Sequence, residues 1–198
     1  MPPIILASQS PRRRQLLAQI GLSDFRILVP DADESYDPSL PPAEIVRSIS
    51  RKKAEAASSL AQDPAALIIA ADTMVFLGAR PLGKPHSEEE AFSTLTALSG
   101  RTHQVLTGLT LCRGTQIETR EETTSVTFRP LTDAEKWSYI RTGEPMDKAG
   151  AYGAQGKAAL FITGIQGDYF NVMGLPLHLL GRMLQIFGVD PFSEEGHP

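Results

Sequence analysis

Cysteine is nearly missing from this chain. Cys112 is the single one among 198 residues, which excludes an intrachain disulfide and suits a reducing compartment. Placed in an apolar β pattern, it reads as a small buried residue rather than a nucleophile. Positive charge is not in excess: 19 Lys and Arg stand against 23 Asp and Glu, for a formal net charge of −4 at pH 7. That balance argues against a general nucleic-acid binder, and any phosphate ligand must be held by a local basic cluster. No apolar run reaches the length of a membrane span. The short apolar run near the N-terminus is followed at once by arginines, unlike a signal peptide, so the expected location is cytoplasmic, away from membranes. The four histidines, His86, His103, His178 and His197, lack metal-ligand spacing, which argues against zinc. There is no Walker A loop, no GxGxxG and no nucleophile elbow around any serine.

What is present is a hydrophobic fraction of 41%, enough for a sizeable core in one domain spanning 1–198, with a frayed polar tail from about 190 and over Ser193 to Pro198. Ile4 to Ala7 reads as a buried strand and Pro11 to Ile20 as a helix. Phe25 to Val29 is a second strand, and a proline-rich loop runs through Pro42. Ala43 to Leu60 is a helix with Ile45, Val46, Ile49, Ala54 and Ala57 near one face. Leu67 to Ala71 is a continuous apolar strand of the kind covered on both faces. Asp72-Thr73 is expected just past its carboxyl end, where open α/β sheets bind ligands. A loop from Pro81 to Pro85 precedes a helix over Glu88 to Leu98. A β region follows, with strands at His103 to Thr107, Leu109 to Cys112 and Thr123 to Phe128 and a turn at Gly114. A helix over Asp133 to Arg141, a glycine-rich stretch from Gly143 to Gly156, a strand over Ala159 to Ile165 and a helix over Leu177 to Phe187 complete the reading.

The first chemical signal is Ser8-Gln9-Ser10-Pro11-Arg12-Arg13-Arg14. Ser10 can cap and Pro11 suits the first helical position. The helix start then offers unpaired N–H groups and a partial positive charge to an anion. Arginines in the first turn oppose the dipole, and a bound phosphate would repair that arrangement; solvated arginines are the plainer alternative. Glu34 and Asp72 are the candidate ligands for magnesium, which often takes only one or two protein carboxylates. For Asp33-Glu34 the alternative is an acidic turn. For Asp72 it is a cap, although an aspartate against a buried strand is costly unless paired. Lys53, in an alanine-rich helix, is a solvated lysine by default. Lys84 sits on a loop beside Gly83, where it can meet a phosphate.

The second signal is the run from Gly143 to Gly156. Its glycines allow close backbone approach, and a loop of this length inside a compact domain is more often functional than idle. Asp147, Lys148, Tyr152 and Gln155 supply polar groups. The amide of Gln155 can read a nucleobase edge with a donor and an acceptor, while Tyr152 has an anchoring role in the core as its alternative.

These residues carry a resemblance. Ser8-Gln9-Ser10-Pro11-Arg12-Arg13, Asp33-Glu34, Lys53-Ala54, Ala71-Asp72-Thr73, Gly83-Lys84-Pro85, Leu98-Ser99-Gly100-Arg101, Asp147 to Gly153 and Gly174-Leu175-Pro176-Leu177, in that order, resemble the Maf family of nucleoside triphosphate pyrophosphatases over nearly the whole chain. The resemblance implies an α/β fold of Maf/ITPase-like type, elongated, with a twisted mixed sheet flanked by helices, two lobes and a central cleft. It implies cleavage between the α and β phosphates with a divalent metal cation, magnesium or manganese. Carried onto this chain, Asp72 resembles the proton acceptor that activates water. Arg12, Thr73 and Gln155 stand at the substrate-selecting positions. Ser8, Arg13, Lys53 and Lys84 resemble phosphate contacts, and Glu34 a metal ligand alongside Asp72.

The run from Asp147 to Gly156 is similar to the branch acting on dTTP and UTP. Its alternatives are the sister branch acting on 7-methyl-GTP, a phosphatase releasing orthophosphate, and a non-catalytic nucleotide sensor in cell-division control. The expected partner is a small nucleoside triphosphate, not a nucleic-acid polymer or a membrane, and a homodimer is expected by analogy alone.

Overall fold

The structure, a computed structural model, describes residues 1–192. The expected frayed tail over Ser193 to Pro198 lies outside the described residues. The elements in chain order are β1 (Ile4–Leu6), α1 (Pro11–Gln19), β2 (Phe25–Ile27), α2 (Pro42–Ala61), β3 (Leu67–Leu77), β4 (Arg80–Leu82) and α3 (Glu88–Leu98). Then come β5 (Thr102–Arg113), β6 (Gln116–Phe128), α4 (Asp133–Ile140), β7 (Ile162–Gln166), α5 (Tyr169–Met173) and α6 (Leu177–Ile186). Short 3-10 turns cover Glu144–Asp147, Ala149–Ala151 and Lys157–Phe161. The strands form a seven-stranded sheet in the order β2-β1-β3-β5-β6-β7, with β4 pairing β3 off this path. It is mixed: β1 runs parallel to β2 and β3, while β4 is antiparallel to β3 and β7 to β6. Among the described residues no helix is long and apolar enough to cross a membrane.

Contacts divide the chain into two compact units. The first comprises Met1–Asp72, Thr107–Glu122 and the described residues from Gly174. Its organising element is α2, whose apolar face (Ile45, Val46, Ile49, Ala54, Ala57) is fully buried. Small residues bring α2 against β5 along a three-rung seam. At the first rung, Gly108 has no room for a side chain, since a Cβ would overlap the backbone of Val46. At the second, the Ser50 and Thr110 hydroxyls share a buried hydrogen bond of 2.9 Å. At the third, the Cys112 thiol faces the Ala54 carbonyl at 3.8 Å. Burial pushes that thiol up to about 11, so Cys112 is the packing residue its sequence context predicts.

The second unit comprises Thr73–Leu106 and Thr123–Met173. Its core joins α3 (Ala91, Leu95, Leu98), Val105, Val126, Phe128, Tyr139, Ile140, Tyr152 and Phe161. Helix starts are well signalled. Ser87 caps α3 ahead of three glutamates, and Thr132 with Glu135 forms a reciprocal capping box on α4.

Four expectations are corrected. Asp72-Thr73 lies inside β3, not past its end, because Thr73 to Leu77 prolongs the strand. Pro81 belongs to β4, opposite Phe76; an edge strand tolerates the missing N–H. Ala159 to Phe161 forms a 3-10 turn, and β7 begins only at Ile162. The expected strands at His103 to Thr107 and Leu109 to Cys112 are one strand, β5. It turns into β6 through Gly114, which has a φ of 57°.

Candidate active site

Helix α1 begins as its sequence dictates. Ser10 caps it by accepting from the Arg13 N–H at 3.4 Å, with Pro11 at the first position. Ser8, just after β1, accepts from the Ser10 N–H at 3.2 Å. Arg12 is half-buried in the first turn. Arg13 turns inward: its Nε donates to the Gly174 carbonyl at 2.7 Å, and one terminal nitrogen donates to the Ala71 carbonyl at 2.8 Å and Ser8 Oγ at 3.2 Å. Burial lowers its pKa from the ordinary value, and the Asp72 charge opposes that effect. Its guanidinium thus ties α1, β3 and the segment before α6 together, and brings fixed positive charge beside Asp72.

The centre of the cluster is Lys53, projecting from α2. Its ammonium donates to Asp72 Oδ1 at 2.6 Å and pairs with Glu34 Oε1 at 2.9 Å. Lys53 and Asp72 are largely enclosed, with side chains 16% and 13% exposed, while Glu34 is 64% exposed. Pairing explains how a carboxylate survives in the middle of β3. Two of the three N–H groups of Lys53 are directed at carboxylates, leaving one for a further acceptor. Beside Glu34, Asp33 accepts from the Ser35 N–H and hydroxyl at 2.8 and 2.7 Å, so the acidic turn reading fits Asp33 while Glu34 points at Lys53. Ser8, Arg13, Glu34, Lys53 and Asp72 therefore form one constellation within the first unit. Among the described residues, no group of three or more His, Cys, Asp or Glu converges as a metal centre.

Thr73, Lys84 and Gln155 belong to the second unit. Thr73 is half-buried in β3, while Lys84 and Gln155 are exposed on loops. The Gly150 N–H donates to the Gly83 carbonyl at 3.1 Å, which sets the Lys84 loop beside the glycine-rich run. Gly150 needs its φ of 71° there, and a Cβ would press on Val75 at 3.0 Å. Tyr152 is the anchor foreseen as its alternative. Its hydroxyl shares a 2.8 Å hydrogen bond with His103 Nε2, and both rings pack edge-on against Phe128.

Sequence reasoning missed Glu144, Tyr139 and His103. Tyr139 and Glu144 are five residues apart, a spacing that no helix or strand period marks, and the partner of His103 is 49 residues away; only the glycines around Glu144 hint at a close approach. His103 has a testable consequence. It is 1% exposed, and burial holds its pKa at about 4, below the ordinary 6.5. The unfolded chain therefore binds a proton that the folded one refuses between those values. The resulting contribution, roughly 3 kcal/mol, is complete above pH 6.5 and is lost as pH falls toward 4. Thermal melts of the parent and His103→Gln at pH 7.5 and 5 should show the parent losing more of its Tm. Parallel losses would refute the assignment.

Residues 3–187 match the family model described as Maf-like protein. A protein of Symbiobacterium thermophilum named dTTP/UTP pyrophosphatase is 48% identical over 193 residues, 98% of each chain. One of Moorella thermoacetica with the same name is 49% identical, covering 96% of this chain and 97% of that one. Among solved structures, a HAM1 protein from Coxiella burnetii matches with a TM-score of 0.50 at 16% identity, covering 94% of this chain and 100% of the other. That last likeness concerns the fold alone and agrees with the expected mixed α/β architecture.

Proposed function

The chain belongs to the Maf family, and we propose on that footing that it is a nucleoside triphosphate pyrophosphatase acting on dTTP and UTP. The observation that carries this reading is the Glu34–Lys53–Asp72 constellation with Arg13 behind it. Carboxylates and cations alternate there within hydrogen-bond distance, as a phosphate-cleaving site requires. Asp72 and Glu34 already share one cation, and their oxygens suit magnesium or manganese, which take few protein carboxylates and fill the remaining positions with water and substrate. A divalent ion held by these two residues would neutralise charge on the phosphates.

The chain's own groups supply the rest. Asp72 takes a proton from the water that attacks the α-phosphorus. A new P–O bond forms, the α–β anhydride bond breaks, and pyrophosphate leaves with the bonding electrons while the nucleoside monophosphate remains. Lys53 offers its remaining N–H to a phosphate oxygen, and Ser8, Arg12, Arg13 and Lys84 hold the triphosphate in line. Positioning and electrostatics therefore provide most of the acceleration. Thr73 and Gln155, with Arg12, select the base. The Gln155 amide pairs with a uracil-type edge by one donor and one acceptor.

The test is a turnover panel of dTTP, UTP, CTP, GTP and 7-methyl-GTP with magnesium or manganese, assaying pyrophosphate separately from orthophosphate. Pyrophosphate release confined to dTTP and UTP is the expected result. Preference for 7-methyl-GTP would keep the chemistry and overturn the base assignment. Orthophosphate as the product would overturn the bond cleaved.

A further inference from the structure

The segment from Gly143 to Lys157 is folded around one carboxylate. Glu144 Oε1 accepts from the Tyr139 hydroxyl at 2.9 Å, and its Oε2 accepts from the Lys157 backbone N–H at 3.0 Å. The Tyr139 hydroxyl in turn accepts from the Gly153 N–H at 3.2 Å. Tyr139 is itself fixed, since its ring is buried and packs edge-on against Phe161 with centroids 5.2 Å apart. Between these two tethered points the chain turns tightly, the Gly156 N–H donating to the Gly153 carbonyl at 3.0 Å. Ala154 and Gln155 occupy the tip. The grip is close: a Cβ on Gly156 would overlap the Glu144 carboxylate.

We propose that Glu144 is the positioning residue for Gln155. Its carboxylate holds one end of the Gly153–Gly156 turn through Tyr139 and grips the residue after the other end, Lys157, directly. It thereby sets where the Gln155 amide stands and how strictly a pyrimidine base is chosen. This inference rests on the reading that Gln155 meets the base. A carboxylate suits the task because it accepts two hydrogen bonds at once in a fixed plane. A glutamine in its place keeps its one oxygen for the Lys157 N–H and turns its NH2 to the Tyr139 hydroxyl, which then accepts where it had donated and loses its charged acceptor.

The experiment compares Tyr139→Phe and Glu144→Gln, each alone and combined with Gln155→Ala. It measures kcat and KM for dTTP and GTP, together with amide exchange at Gly153 and Lys157. Tyr139→Phe keeps the ring in the core and removes only the hydroxyl. Both single variants should exchange faster at these amides. Each should lose roughly fivefold in preference for dTTP over GTP, the scale of one misplaced hydrogen bond, mainly through KM. In the Gln155→Ala background their effect on preference should vanish. Unchanged preference in both single variants, with Gln155→Ala altering it, would overturn the role of Glu144 and leave the Gln155 reading standing. A loss that persists without Gln155 overturns it too. If Gln155→Ala itself leaves preference intact, the Gln155 reading fails and the Glu144 proposal falls with it.

Discussion

Asp72→Asn is expected to lower kcat by about two orders of magnitude or more, the usual scale for removing a general base. Asparagine is nearly isosteric with aspartate, and its carbonyl oxygen can still accept from Lys53, so the 2.6 Å contact has a neutral successor. What it lacks is a site for the water's proton at neutral pH. Measured without added divalent metal, nucleotide affinity should hold or tighten, because a negative charge is removed from a place where a polyphosphate binds. Folding should survive as well: the pair is not left wholly uncompensated, since Lys53 retains Glu34 at 2.9 Å. Equilibrium binding, a thermal melt and single-turnover kinetics on the same preparation separate these effects. Near-normal turnover in a folded, nucleotide-binding variant would remove Asp72 from the role of proton acceptor.

Gly108→Ala is expected to cost about 3 kcal/mol or more, near the upper end for overpacking. The atoms in the way are the Val46 carbonyl and the Arg47 nitrogen, which are backbone and cannot swing aside. Helix α2 must lift from β5, straining the Ser50–Thr110 hydrogen bond and opening the face that buries Ile45, Val46 and Ile49. For a chain of this size that loss corresponds to about 6–12 °C in Tm. Turnover should fall as well, since Lys53 rides on the displaced helix. Gly181→Ala is the control of opposite sign. Gly181 lies inside α6, where a Cβ meets nothing within 4 Å among the described residues. Alanine there should stabilise by up to roughly 1 kcal/mol. Equal melting temperatures for the two variants would dismiss the close approach at Gly108.

The contrast between these glycines shows where the sequence was legible. Helices with periodic apolar faces or end signals are readable locally: α2 from its Ile45–Val46–Ile49 spacing, α1 from the Ser10 cap with Pro11 at its first position. At the centre of the site the failures share one cause, a partner far away in sequence. Asp72 reads as the end of a strand because a charge interrupts an apolar run. Lys53, on another element, makes that charge tolerable inside β3, with Arg13 close by. The three arginines of α1 look equivalent in the sequence, yet Arg13 is committed to the carbonyls of Ala71 and Gly174. Helix α5 escaped notice because its five residues are too few to show a period. Its start is fixed by the Asp168 carboxylate, which accepts from the N–H groups of Phe170 and Asn171 at 2.7 and 3.4 Å. Glu144 is hidden for a different reason: its partners Tyr139 and Lys157 stand 5 and 13 residues away, spacings that no helix or strand period marks.

The seam between α2 and β5 behaves as a vernier. Its rungs advance four residues on the helix, about 6.0 Å, and two on the strand, about 6.7 Å. The two scales drift by only about 0.7 Å per rung, so Val46, Ser50 and Ala54 meet Gly108, Thr110 and Cys112 in step. Sliding the helix by one turn would set Ser50 over Gly108 and carry Lys53 about 6 Å from its place beside Asp72. The small residues of the seam thus admit a single notch, and the ammonium at the centre of the site keeps its address through a mechanical stop some distance away.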